Sequence, residues 1–503
     1  MTRTIRQHLV AYSDGWLSPV ETTAACLDAL DSHNPATNAL PTLRDRGTVQ
    51  QQAERAQAAI TAGAPVGQLV GLPYAAKDIH RTAGLRTTFG SPIFADHVPD
   101  HNDPIVDRLL AADANLIGKS NTPEFAAGSQ TFNTLFGTTR NPYALDKTVG
   151  GSSGGSACAL ATGMVWIADG SDLAASLRNP ASFCGVVGMR PSSKPDPLLG
   201  LGANGFNSLS MVGPMARCVD DARLAYRSIF KPSAKRSIKE WSDSLSRESQ
   251  QTGRGILRYE RNGSMPRDPR SLKIAWTVDG DGRIPVDPAV HRAIRRVGHV
   301  LQEAGVQLVS AIPDLGGVDE CFQTLRGLYF VENFGELYWR EQHRMKDTVL
   351  WNIEFGLDLT AERIAAAARL RTDLFARMRR FLGDLDAWLL PTAQVLPFNH
   401  EIAYPTSING EALGTYIDWL KTCYWVTTTG HPAVSLPCGF EQEPQGPLLP
   451  VGLQVVGRWD EDEAMLDVAE TIETLLEPLN SNRPPFVSAA PAKNRSEYER
   501  AVG

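Results

Sequence analysis

Short apolar runs of strand length alternate with capped, amphipathic runs of helix length along most of this chain, and that alternation restricts the fold more than any other feature. "SPVETTAACLDALDS" opens with Ser18 as an N-cap and Pro19 in the first turn, a start signal for a helix. "VGLPYAAKDI" (Val70 to Ile79) is short, apolar and ends in polar residues, so it reads as a buried strand running into a loop. "DPIVDRLLAADA" is helical, "NLIGKS" is strand-like, and "LKIAWTV" (Leu272 to Val278) is a strand. In the next helix Asp287 is the cap and Pro288 the first turn. Val290, Ile294, Val297 and Leu301 form its apolar stripe, and Gly305 stops it. "AWLLP" and "AVSLP" are further buried strands. The pattern predicts an α/β protein with a large mixed or parallel sheet and helices on both faces.

One stretch breaks the pattern. Ala234 to Arg270 is polar, charged and poor in apolar periodicity, and is expected to be a surface insertion in the form of a solvated loop. Otherwise 42% hydrophobic residues over 503 positions are enough for a sizeable core, in one unit if the chain is a large α/β enzyme. Lys+Arg 49 against Asp+Glu 56 leaves a net charge of -7, which argues against a nucleic-acid surface and for small or neutral ligands.

Seven cysteines (Cys26, Cys158, Cys184, Cys218, Cys321, Cys423, Cys438) show no close pairs, as expected for reduced, buried thiols and not for disulfides or a zinc site. The opening "MTRTIRQHLVAYSDG" has no apolar core of a signal peptide. The longest apolar run, "ACALATGMVWIA", is too short to span a bilayer. A cytoplasmic protein is the expectation.

"GGSSGGSA" (Gly150 to Ala157) then asks for a function. A flexible linker is excluded by the apolar "CALATGMVWIADGSD" that follows directly. A phosphate cradle has the correct spacing at Gly150 and Gly155, but Ser156 stands where the lysine should be. "GLGANG" (Gly200 to Gly205) fits a dinucleotide fingerprint only outside a strand-to-helix context. Gly150 to Gly154 also satisfies the G-x-S-x-G elbow, for which His291, His299, His343, His400 and His431 offer a base by chain order alone. A fourth reading needs a second serine and a base other than histidine. Ser176, in "GSDLAASLR", lies 24 residues after Ser152, and Lys77 ends the buried strand upstream.

These pieces together resemble the amidase signature hydrolases. The resemblance rests on the run from Gly150 to Ser192, "GGSSGGSACALATGMVWIADGSDLAASLRNPASFCGVVGMRPS". It extends to "GLPYAAKDI", "GKSNTPEFAAGSQTFNTLFGTTRNPY", "SLSMVGPMARCVDDA", "GHPAVSLPCGF" and "LPVGLQVVGRWDEDEAML", and so covers nearly the whole chain.

It implies one α/β/α domain over 1–503 and an amide hydrolase with a Ser-cisSer-Lys triad at Ser176, Ser152 and Lys77. Ser176 is the implied nucleophile, Ser152 the relay after a cis Gly151–Ser152 bond, and Lys77 a base made neutral by burial. Asp78 would oppose that neutrality if its carboxylate came close. Backbone N–H groups of Leu173, Ala174, Ala175 and Ser176 form the implied oxyanion hole, with Ser153, Asp172 and Arg178 in support.

Ala174-Ala175 replaces the family's usual Gly-Gly, which would strain any position with positive φ. Aromatic-rich segments at Phe322 to Trp339 and Leu350 to Thr360 belong to an expected helical substrate cap near 320–385. No metal or other cofactor is implied. The expected partners are a small-molecule amide and water, without nucleic acid or membrane, in a monomer or homodimer. Two alternatives stay open: the glutaminase subunit of a tRNA-dependent amidotransferase, and a nucleotide-binding protein using Gly150 to Ser156.

Overall fold

Among the described residues, eleven strands join in one mixed sheet. In chain order they are β1 (Thr42–Leu43), β2 (Pro73–Lys77), β3 (Asn115–Ser120), β4 (Ile167–Asp172), β5 (Val187–Arg190) and β6 (Met211–Ala216). The second half adds β7 (Lys273–Trp276), β8 (Gln307–Ser310), β9 (Ala387–Pro391), β10 (Ala433–Glu441) and β11 (Leu449–Val456). Their spatial order is β1-β3-β2-β4-β6-β5-β10-β11-β9-β7-β8. β2 runs parallel to both β3 and β4, β7 runs parallel to both β8 and β9, and the remaining pairs are antiparallel. The computed structural model describes residues 4–194, 204–252, 267–442, 445–481 and 485–486.

Strands covered on both faces are buried along their whole length. Here β2, β3, β4, β6, β9 and β11 are buried at every position, with polar residues gathered toward the ends of β2, β3 and β4. The expected α/β architecture is the observed one. The helix Pro288–Glu303 starts with Asp287 accepting the Ala289 N–H at 2.7 Å and buries Val290, Ile294, Val297 and Leu301. Ser18 caps Pro19–Thr37 in the same way, accepting the Glu21 N–H at 3.1 Å. All seven cysteines are buried free thiols. Among the described residues no helix is long and apolar enough to cross a membrane.

The stretch from Ala234 to Arg270 departs from the expected loop. It forms a helix over Ile238–Thr252, and Ile238, Trp241 and Leu245 enter the core beside Ile5 and Leu9. The Trp241 indole N–H donates to the Val66 carbonyl at 2.7 Å. Spacings of three and four bring these apolar residues onto one face. Residues 253–266 of the stretch, and Gly200 to Ala203 of "GLGANG", lie outside the described residues.

Three helices, Val318–Glu341, Asp347–Leu357 and Ala361–Leu382, stand where the cap is expected. The first two share a separate apolar cluster with the segment around Phe89, Phe94 and Phe125. The turn between them is fastened to that segment: the Lys346 N–H donates to Glu124 at 2.7 Å, and Arg344 donates to the Pro92 carbonyl at 2.6 Å.

Candidate active site

β2 and β4 are parallel neighbours, so their carboxyl ends emerge at the same edge, where open α/β sheets hold their ligands. Lys77 is the last residue of β2. β4 ends at Asp172, and the chain turns through Leu173 to Leu177 into the helix Arg178–Cys184. The loop Gly150–Ser153 lies against both and leads into the helix Gly154–Ala161.

Here the Lys77 amine donates to Ser152 Oγ at 2.7 Å and to Ser171 Oγ at 3.0 Å. The Gly151–Ser152 peptide bond is cis. The Ser153 N–H donates to the Ser176 carbonyl at 3.2 Å, tying the two serine segments together. Gly170 is needed for this approach, because a Cβ there would lie 2.5 Å from Ser153 Oγ. Ser152, Ser176, Leu173 and Ala174 line one cavity of about 570 Å³.

The electrostatics lower the proton affinity of the Lys77 amine. Lys77 and Ser152 are fully buried, while Ser176 is 7% exposed. Burial holds the Lys77 amine down at about 7, against Asp169 and Asp172, which favour the charged form. Asp78 is not one of those opposing carboxylates. It accepts the Thr88 hydroxyl, and burial raises its carboxyl against the pull of the buried Lys119.

Burial would raise the Asp172 carboxyl, but Arg178, Arg190 and the Leu177 N–H together hold that carboxyl below its usual range. Arg178 clamps Asp172 through two N–H groups at 2.8 and 2.9 Å and donates to the Ala174 carbonyl at 2.9 Å. The Leu177 N–H adds a bond to Asp172 at 3.1 Å. Leu173 to Ser176 is thus fixed from both ends. Neither Ala174 nor Ala175 has positive φ, so the alanines sit in this turn without the strain a left-handed backbone would impose.

The far wall of the cavity comes from the cap. Tyr329, Phe330 and Phe334 on the first cap helix face Phe89, Phe94 and Phe125 of the body. Other aromatics of the expected segments pack elsewhere: Phe322 stacks on Tyr424 at 4.6 Å, and Trp339 is exposed.

A family model described as Amidase matches residues 21–466. The chain belongs to the amidase family. This amidase is 32% identical over 465 residues to the acylamidase of Rhodococcus erythropolis, an alignment covering 91% of this chain and 92% of that one. It is also 32% identical over 470 residues to a glutamyl-tRNA(Gln) amidotransferase subunit from Thermus thermophilus, covering 91% and 94%. A bacterial aryl acylamidase of the amidase signature family shares the fold with a TM-score of 0.76 at 24% identity, over 96% of each chain. The amidase is a hydrolase acting on amides.

The other sequence readings of the glycine-serine loop fail on geometry. A phosphate cradle needs free N–H groups, but those of Gly150, Gly151, Ser153, Gly154 and Gly155 all donate to protein oxygens at 3.0 to 3.3 Å. None of His291, His299, His343, His400 and His431 lines the cavity with Ser152.

Sequence reasoning missed Asp169, Ser171 and His80. Asp169 is fully buried, accepts the Lys77 N–H at 2.7 Å and binds His80 Nδ1 at 2.9 Å and the Tyr74 hydroxyl. His80 lines the cavity, and its Nε2 has no partner among the described residues. One signal was available: an acid inside "VWIADGSD", a run apolar enough to be buried, has to find donors.

Proposed function

We propose that this amidase cleaves a small-molecule carboxylic amide through Ser176, Ser152 and Lys77, by way of an acyl-enzyme. The observation that carries this reading is the 2.7 Å contact between a fully buried amine and Ser152 Oγ, beside the turn that bears Ser176. Neutral Lys77 accepts the proton of Ser152, which takes that of Ser176 as Ser176 Oγ attacks the amide carbon. N–H groups of Leu173 to Ser176 stabilise the oxyanion, and Asp172 with Arg178 keeps that turn in place. Collapse breaks the C–N bond, and the proton held on Lys77 returns through Ser152 to the departing amine. Water then repeats the sequence on the Ser176 ester and releases the acid. The aromatic cavity walls favour an aryl or other apolar group on the amide, with carbamates and esters as related substrates.

The test is amine release from a panel of anilides, alkyl amides and carbamates by the purified chain alone. A glutaminase-subunit reading is favoured by the 32% identity to the amidotransferase relative. Ammonia release from glutamine only when partner subunits and tRNA are added would establish that reading and remove the stand-alone one.

A further inference from the structure

Among the described residues five arginines are buried, and four of them meet a carboxylate: Arg6 with Asp220 at 2.7 Å, Arg178 with Asp172 at 2.8 Å, Arg190 with Asp172 at 3.7 Å, and Arg223 with Glu463 at 2.8 Å. That is the ordinary requirement, since an unpaired ion in a protein interior costs several kcal/mol. Arg326 is the exception. It is 5% exposed, lies on the first cap helix and lines the cavity that holds Ser152 and Ser176. Its partners are neutral: Nε donates to Asn352 Oδ1 at 2.7 Å and Nη2 to the Tyr416 hydroxyl. Its guanidinium also lies over the Phe330 and Tyr416 rings, 5.1 and 5.5 Å from their centroids. Among the described residues no carboxylate pairs with it.

Acids do lie nearby, but among the described residues none pairs with Arg326. Asp103, which also lines the cavity, pairs with Arg81 at 3.4 Å. Glu332, on the same helix, accepts Asn204 and Asn207. Glu336 and Arg340 line the cavity too, at its exposed side farther along that helix. Asn352 and Tyr416 fix one edge of the guanidinium, and the remaining N–H groups are left for whatever fills the cavity.

We propose that Arg326 is a specificity residue and that the substrate is an amide bearing a carboxylate, which supplies the missing counter-ion. A planar carboxylate matches the guanidinium fork, and a desolvated, aromatic surround strengthens the pair. This rests on the amide-hydrolase reading above.

The experiment uses two pairs of anilides with the full-length protein. N-phenylsuccinamate is compared with N-phenylbutanamide, and 4-acetamidobenzoate with acetanilide, so that the charge is placed on either side of the scissile bond. For at least one pair, kcat/KM is expected to favour the anion by about tenfold or more, the range of a charge-assisted hydrogen bond. The ratio should fall to near one in Arg326→Gln and be partly restored in Arg326→Lys. Neutral anilides cleaved as well as or better than both anions by the wild-type protein would overturn the proposal and leave the amidase reading intact, whether or not the variants fold. Calorimetric titration with 3-phenylpropanoate against 3-phenylpropanol separates the two readings without turnover. Preferential binding of the acid supports the charge site even if no anilide is cleaved, and equal binding overturns it.

Discussion

At Lys77, burial and two carboxylates pull in opposite directions, and their balance decides whether the amine can accept a proton at neutral pH. Burial prevails and holds it at about 7, well below a free lysine. In the proposed mechanism the neutral form is the base, so kcat/KM should rise with pH through about 7 and level off above it. Asp169 favours the charged form, so Asp169→Asn should move that midpoint to lower pH; a midpoint that stays put or rises would remove Asp169 from the account. Lys77→Arg should lose about 10²- to 10⁴-fold in turnover, because a guanidinium cannot take the serine proton. Near-normal turnover with the same acid limb would make Lys77 structural. Ser176→Ala should abolish labelling by a fluorophosphonate; labelling lost instead only in Ser152→Ala would reassign the nucleophile.

The elements differ in how plainly they could be read. Helices with a cap, a first-turn proline and a stripe at 3.6-residue spacing, such as Pro288–Glu303, were legible because every signal is local. The turn from Asp172 to Arg178 was legible through its resemblance. Helix Ile238–Thr252 was not, because serines and charges dilute a stripe of only Ile238, Trp241 and Leu245. If that stripe anchors the helix, Trp241→Ala should cost about 3–5 kcal/mol, read as a lower urea midpoint. A change under about 0.5 kcal/mol would return the segment to a solvated loop. Asp169 and His80 were hidden for another reason. Their contacts with each other and with β2 span some 90 positions, a separation that no local pattern encodes.

Across the whole molecule the proposed bond-breaking groups lie between Lys77 and Arg178, whereas the far wall of the cavity comes from the first cap helix. In the proposed mechanism Lys77, Ser152 and Ser176 carry both proton transfer and attack, so EDTA treatment should leave turnover unchanged. Loss on EDTA, restored by zinc, would refute this. Phe330→Ala should raise KM for an aryl amide about tenfold while the acid-limb midpoint stays where it is. A shifted midpoint would mean that the two halves are electrically coupled. The division of labour has a consequence for descent. Mutations in the cap can try out new diets one side chain at a time, while the inherited cutting edge is neither blunted nor rebuilt.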